Sequence, residues 1–137
     1  MKVAIIGGGP AGHTAATHAA RLGAEVTLIE RDVIGGAAHL WDCIPSKTMI
    51  ATGGAMAASR RMRGMGLEPQ EAEIDPAALE ERIASIKERI RTGVEGLLHS
   101  QQVRIIRGSA ALAGPNEVVV RTPDGEERLS SEEHTSE

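Results

Sequence analysis

Aromatic side chains are almost missing from this chain of 137 residues, which has one tryptophan, Trp41, and neither phenylalanine nor tyrosine. Its core must therefore be built from Ile, Leu and Val, with alanine and glycine allowing close backbone packing. Cysteine is nearly absent as well, because Cys43 is the only one. No disulfide can form within the chain, and we expect a cytoplasmic protein in a reducing compartment.

Long apolar stretches and a surplus of positive charge are also lacking. No apolar run approaches the ~20 residues that a membrane span requires, and the run after Met1 and Lys2 is too short for a secretory signal. The formal charge of −4 argues against a nucleic-acid partner. With 41% hydrophobic and 25% charged residues, the composition is typical of a globular protein of one domain at most.

Residues 131–137 read Ser-Glu-Glu-His-Thr-Ser-Glu and show no apolar periodicity. One reading frame of a common sequencing-library adapter translates to the same string, so we expect an adapter-derived artefact, the alternative being a disordered acidic tail. We therefore divide the chain into residues 1–130, the N-terminal part of a domain whose motifs are described below, and residues 131–137. We expect the natural protein to continue beyond about residue 130.

Local patterns in the first half of the chain predict a βαβ unit. Its parts are a β-branched strand over residues 2–6, a glycine turn, a helix of small residues over 11–22 that Gly23 stops, and a second strand over 25–30. The crossover of such a unit is right-handed. Residues 32–46 are predicted to form a loop, and Ser46 is predicted to cap a helix from Lys47 to about residue 63.

A third helix is predicted after Asp75, which can cap it, with Pro76 at its first position. Its apolar residues recur at helical spacing and define one face: Leu79, Ile83, Ile86, Ile90, Val94 and Leu97. Three strands follow over residues 103–107, 118–121 and 127–129, with a Pro-Asp-Gly turn at 123–125. The fold class is therefore α/β, with a parallel sheet and a small antiparallel piece.

The glycine turn has the spacing of a dinucleotide site. Residues 7–12 read Gly-Gly-Gly-Pro-Ala-Gly and fit G-x-G-x-x-G between a strand and a helix. Gly7 permits the tight turn, Gly9 lets the backbone approach a pyrophosphate, and Gly12 lets helix and strand pack closely. Glu30 ends the second strand, near the ~20-residue spacing at which an acid binds the adenosine ribose. FAD and NAD have the free 2′-hydroxyl that this requires. The alternative is a glycine-rich turn that binds nothing.

A second motif distinguishes FAD from NAD. Residues 35–47 read Gly-Gly-Ala-Ala-His-Leu-Trp-Asp-Cys-Ile-Pro-Ser-Lys. They resemble the Gly-Gly-Thr-Cys-Leu-Asn-x-Gly-Cys-Ile-Pro-Ser-Lys segment of the flavoprotein disulfide reductases, which include dihydrolipoamide dehydrogenase. The resemblance runs over residues 2–129 and implies an incomplete Rossmann-like FAD-binding domain, with NAD(P)H as co-substrate and no metal. The motifs and the resemblance together assign these cofactor-binding residues: Gly7, Gly9, Pro10, Ala11, Gly12, Glu30, Arg31, Gly35, Gly36, Ala37, Lys47, Gly108, Ser109 and Ala110.

The chain departs from this family at one informative position. The first redox cysteine of the family falls on Ala38 and only the second is present, as Cys43, so a dithiol–disulfide cycle cannot run here. The segment instead resembles a branch of NAD(P)H quinone reductases that lack the pair. This resemblance implies electron transfer from NAD(P)H through FAD to a quinone-like acceptor, in a homodimer. Residues 13–130 contain no second G-x-G-x-x-G and thus no recognisable NAD(P)H site, so we expect the chain of 137 residues alone to be inactive.

Two alternative functions stay open: a non-catalytic FAD- or nucleotide-binding module, and a disulfide reductase of the dihydrolipoamide dehydrogenase type. Individual side chains also have two interpretations. Lys47 matches a family lysine beside the flavin ring, or is a surface lysine. Cys43 is a reactive thiolate ahead of a helix, or a small buried packing residue. Trp41 is expected to fill a hole under the loop rather than to stack near the flavin. His13 and His39 are candidate proton donors that match no family acid.

Overall fold

A computed structural model describes residues 1–68 and 72–130 of the chain. The elements are β1 (Lys2–Ile6), α1 (Pro10–Arg21), β2 (Glu25–Glu30), a π-helix (Ala38–Cys43), α2 (Ile44–Arg61), a 3-10 turn (Met62–Met65), α3 (Pro76–Ser100), β3 (Arg104–Arg107), β4 (Ser109–Gly114), β5 (Glu117–Thr122) and β6 (Gly125–Ser130). The expected artefact or tail at 131–137 lies outside the described residues.

The first sheet is parallel, in the order β1-β2-β3, which confirms the three predicted strands. Strand β2 is central, with Leu28 opposite Ile5 on one side and Ile105 on the other. Helices α1 and α3 pack on this sheet and bury a core of aliphatic residues: Ala16, Val26, Leu28, Ile34, Leu98 and Val103. Ala16 has no exposed surface, so the small residues of α1 do allow the helix to lie close to the strands.

Helix α3 begins as predicted but buries a different residue at its end. The Asp75 carboxylate accepts a hydrogen bond from the backbone N–H of Ala78 at 3.1 Å, and this is the predicted cap. The prediction that Leu97 ends the packed face of this helix is wrong, because Leu97 is 45% exposed, whereas Leu98 is fully buried. The carbonyl of Leu98 accepts from the N–H of Val103 at 3.0 Å, so the turn into β3 draws Leu98 inward.

The second sheet is an antiparallel meander in the order β4-β5-β6. The predicted strands 118–121 and 127–129 and the turn between them are confirmed, each strand being longer than predicted. Strand β4 was not predicted, because its Ser-Ala-Ala-Leu-Ala-Gly sequence has low strand propensity and its pairing shifts between Leu112 and Gly114. A second core lies between the sheets and consists of Ile29, Ile106, Val118 and Val120.

The predicted loop over residues 32–46 is partly wrong. Residues 38–43 form a π-helix that runs directly into α2 at Ile44. Ser46 therefore lies inside a continuous helix and does not cap it: its hydroxyl donates to the carbonyl of Asp42 at 2.7 Å. Pro45 is the second residue of α2 and lies at the junction where the π-helix passes into the α-helix. Of the helices in the described ranges, none combines the length and apolar character that crossing a membrane takes.

Candidate functional site

The carboxyl ends of all three parallel strands meet at one edge of the sheet. Gly7, which follows β1, donates its N–H to the carbonyl of Ile29 at 2.8 Å. Gly108, which follows β3, donates its N–H to the carbonyl of Glu30 at 3.0 Å. The glycine turn and the β3–β4 connection therefore flank the end of β2 from either side. In open α/β sheets, this edge is where ligands bind.

Helix α1 presents an uncapped N-terminus at this edge. Gly9 precedes the helix, no side chain caps its first amides, and its first turn holds no acidic residue. Gly7, in the turn that leads into the helix, has a backbone φ of +104°, a conformation that favours glycine. The amides and the helix dipole are thus free to act on an anion, and a phosphate is the group that such helix ends bind.

The two other glycines of the motif differ in their surroundings. A Cβ added to Gly12 would overlap the carbonyl oxygen of Gly7, so helix and turn touch there as the motif requires. A Cβ added to Gly9 would meet no protein atom within 4 Å. The fold itself therefore demands glycine at Gly12, whereas at Gly9 the fold leaves room for a ligand to approach the backbone.

The Glu30 carboxylate lies on the glycine turn. One oxygen accepts from the N–H of Gly8 at 2.6 Å and the other from the N–H of Asp32 at 2.8 Å. Each carboxylate oxygen has two lone pairs, so Glu30 keeps acceptor capacity for ribose hydroxyls while it holds the turn. Gly8 itself was missed in the sequence analysis. A Cβ there would lie 2.9 Å from Ile34 Cδ1, and the unbroken run of three glycines was the available signal.

A second glycine segment packs on the first. Gly35 donates its N–H to the carbonyl of Gly8 at 2.9 Å. Gly36 has a φ of +74°, and a Cβ on it would lie 2.6 Å from the Cα of Gly9. Only glycine allows this approach of two backbones. The structure thus brings the two sequence motifs, far apart in the chain, into direct contact, with the exposed Ala37 next to them.

The side chains named beyond the glycines lie mostly at the surface. Cys43 is exposed, so its interpretation as a buried packing residue is wrong. Trp41 is 57% exposed and fills no hole; the Nζ of Lys87 lies 4.3 Å from the centre of its ring. Lys47 is exposed in the first turn of α2, four residues after Cys43, and this spacing places both on one helix face.

A pair of histidines stands between α1 and the π-helix. The ring centroids of His13 and His39 are 6.3 Å apart, and the Nδ1 atom of each ring is buried without a hydrogen-bond partner. Burial, and secondarily the charge of His39, lower the pKa of His13 below 6.5, while the Gly9 carbonyl acts in the opposite direction. The sequence offered no signal that these two residues meet.

These features fit a dinucleotide and give no sign of a metal centre. Three or more His, Cys, Asp or Glu side chains do not converge anywhere in residues 1–68 and 72–130. The uncapped end of α1, the open side of Gly9 and the Glu30 carboxylate have the complementary chemistry for a pyrophosphate and a ribose. The fold and the site thus define the class: a nucleotide-binding α/β domain with a parallel sheet.

Comparison with known proteins identifies the family within this class. The model of the pyridine nucleotide-disulphide oxidoreductases matches residues 1–133, and the chain belongs to this family. It is 36% identical over 128 residues to a dihydrolipoyl dehydrogenase of Chlorobaculum parvum, covering 93% of this chain and 27% of that protein. It is 36% identical over 120 residues to the dihydrolipoyl dehydrogenase of Geobacillus stearothermophilus, covering 88% and 26%.

A solved structure agrees with this assignment. The chain superposes on LpdA from Mycobacterium tuberculosis with a TM-score of 0.80 and 31% identity, covering 94% of this chain and 29% of LpdA. Family members are FAD-binding enzymes that use NAD(P)H as co-substrate. The chain spans between a quarter and a third of the length of these relatives.

Proposed function

We propose that this chain is the FAD-holding part of an NAD(P)H-dependent oxidoreductase that reduces a quinone-like acceptor without a redox disulfide. The observation that carries the proposal is the alanine at position 38. The family resemblance places the first redox cysteine there, and Cys43 is the only cysteine in the sequence. The relatives are dihydrolipoyl dehydrogenases, so a disulfide-reducing activity is the competing candidate.

The binding roles follow from the geometry at the edge of the sheet. The N-terminal amides of α1 would hold the pyrophosphate against Gly9, and Glu30 would accept hydrogen bonds from the adenosine ribose. The segment 35–37 would line the other side of the phosphates, because Gly36 packs directly on Gly9. Residues 108–110 lie beside the end of β2, where Gly108 bonds to Glu30, and would border the adenine through their backbone, with Arg31 nearby.

The redox role of the chain's own residues is electrostatic. FAD, when bound, accepts a hydride from NAD(P)H and passes two electrons on. Lys47 places a fixed positive charge at the start of α2, and a charge of this sign beside the flavin ring favours the reduced, electron-rich form. Ala38 offers only a methyl group, so no thiol pair in this chain can take the electrons from the flavin.

The overall reaction then balances without a thiol. NAD(P)H and one proton, with a quinone, yield NAD(P)+ and a hydroquinone, so that the two electrons and two protons arrive on the acceptor oxygens. We also propose that the complete protein is a cytoplasmic homodimer. The single cysteine supports a reducing compartment.

A comparison of acceptors tests the proposal. The full-length gene product, loaded with FAD, is assayed for oxidation of NADH and NADPH with a benzoquinone and, separately, with oxidised lipoamide. We expect turnover with the quinone and none with lipoamide. A Cys43→Ser variant should keep the quinone activity, since the single thiol has no partner. Lipoamide reduction that Cys43→Ser abolishes would refute the proposal and favour the disulfide reductase. Stoichiometric FAD with no turnover of any acceptor would favour a binding module.

A further inference from the structure

Unpartnered polar atoms single out one place in the fold. Among the described residues, three buried side-chain atoms lack a hydrogen-bond partner, and two of them are Nδ1 of His13 and Nδ1 of His39. Buried polar atoms in native proteins nearly always have a partner, so two orphans at one place call for an explanation. The rings are tilted by 44° with centroids 6.3 Å apart, which makes them a single electrostatic unit.

The pair joins the two elements that hold the glycine segments. His13 lies in the first turn of α1, where its backbone N–H donates to the carbonyl of Gly9 at 3.0 Å. His39 lies in the π-helix that follows Gly36, and Gly36 packs on Gly9. His13 is therefore four residues from Gly9, and His39 three residues from Gly36, about one helical turn along the chain from backbone that we assign to the pyrophosphate.

Without an anion, the surroundings disfavour a proton on His13. Burial and, secondarily, the neighbouring His39 lower the pKa of His13 and outweigh the Gly9 backbone, which raises it. The positive end of the α1 dipole disfavours a cation there as well. The other ionisable groups on the neighbouring elements are His18 and Arg21 on α1, Glu30 on β2, Asp42 and Cys43 on the π-helix, Lys47 on α2 and Lys87 on α3. Burial is the main cause of the lowered pKa of His13, and His39 is the ionisable neighbour that adds to it.

A bound pyrophosphate reverses this balance. It brings two negative charges to the N-terminus of α1, and an opposite charge within ~4–6 Å favours the protonated imidazole. By linkage, a ligand that favours the protonated form binds more tightly when protons are more abundant. Glu30 is part of the site with and without the ligand, its oxygens accepting from the N–H groups of Gly8 and Asp32, so it does not account for the change.

We propose that the His13–His39 pair takes up a proton when FAD binds, so that these two residues make the affinity for FAD depend on pH. The inference rests on the proposed function, since it requires FAD at the glycine turn. It assigns to both histidines a positioning role in cofactor binding and not a part in hydride transfer. Acidification below about pH 7 should strengthen FAD binding.

Calorimetry of FAD binding to the FAD-free, full-length protein tests this proposal. Titrations at pH 6 in buffers of different ionisation heat should show uptake of about half to one proton, and titrations at pH 8 should show none. Between about pH 7 and pH 5.5, the Kd should fall by up to about tenfold per pH unit, the limit for one proton. A His13→Gln/His39→Gln double variant should lose both effects. His18→Gln, on an exposed position of the same helix, is the matched control and should keep them.

The outcomes distinguish a failure of the proton uptake from a failure of FAD binding. Equal proton uptake in the wild type and the double variant, or none in the wild type, overturns this inference and leaves FAD binding intact. Failure to bind FAD at every pH overturns the proposed function together with it. If the double variant does not fold, NMR titration of the His13 ring in the wild type replaces it. Its pKa should be higher with FAD than without, and an unchanged pKa overturns the inference.

Discussion

Replacing Gly9 with alanine separates the demands of the fold from those of the cofactor. Gly9 has φ −69° and ψ −174°, an extended backbone that alanine adopts freely. An added Cβ meets no protein atom within 4 Å. The FAD-free variant should therefore fold as the wild type does, with a free energy of unfolding unchanged or higher by about 0.4–1 kcal/mol because the unfolded chain loses entropy.

The same methyl group stands where a phosphate must approach the backbone. If it displaces the phosphate from one amide of α1, the loss is that of a hydrogen bond to a charged group, about 2–3 kcal/mol. This energy corresponds to a Kd for FAD that is roughly 30- to 150-fold weaker. The expected signature is thus a large loss of affinity at unchanged stability, which a residue with a purely structural role would not give.

Two measurements on the full-length protein provide the test. FAD affinity is taken from quenching of flavin fluorescence, and stability from urea unfolding of the FAD-free protein. Gly12→Ala should behave in the opposite way and destabilise the FAD-free protein, because its Cβ overlaps the Gly7 carbonyl. Gly53→Ala, in α2 with nothing within 4 Å, is the neutral control for affinity. Wild-type affinity in Gly9→Ala would show that the phosphates do not lie on this turn.

Three further predictions concern the core, the ribose carboxylate and pH. Leu98→Ala should lower the free energy of unfolding by about 2–5 kcal/mol, and Leu97→Ala, at a 45% exposed site, by less than about 0.5 kcal/mol; similar losses in urea unfolding would contradict the packing of α3. Glu30→Gln should lower the free energy of unfolding by about 1 kcal/mol, because a charged acceptor of the Gly8 N–H becomes neutral. It should also weaken the binding of FAD at least tenfold, and an unchanged Kd would show that Glu30 does not contact the cofactor. The FAD-free protein should melt at lower temperature as pH falls below about 6.5, because the unfolded chain then binds a proton at His13 that the folded chain, with its lowered pKa, resists. The decline should be smaller in His13→Gln, and equal declines would contradict the burial of that ring.

Local sequence was sufficient for the elements whose signals lie within a few residues. The β-branched run of β1, the glycine turn and the small residues of α1 predicted a βαβ unit, and the structure has it with the predicted strand bounds. Asp75 and Pro76 likewise marked the start of α3, because capping depends on a hydrogen bond only three residues away. The family followed from two short motifs, since chemistry at a phosphate-binding turn tolerates few residue types.

Tertiary contacts decided what those signals left open. Strand β4 forms from residues of low strand propensity because β5 offers it a pairing edge. Leu98 rather than Leu97 is buried because the chain must turn into β3. The helix before Ser46 forms, and Cys43 and Trp41 are exposed, in the segment that follows the contact of Gly36 with Gly9.

The sequence alone determined the type of ligand, because glycine spacing and one carboxylate specify a backbone that accepts a dinucleotide. Only the tertiary structure brought Gly36 onto Gly9 and His13 beside His39, since these residues are distant in the chain and no periodicity relates them. The physical reason is that local propensities act over a few residues, whereas burial and electrostatic coupling depend on contacts between elements that exist only in the folded chain.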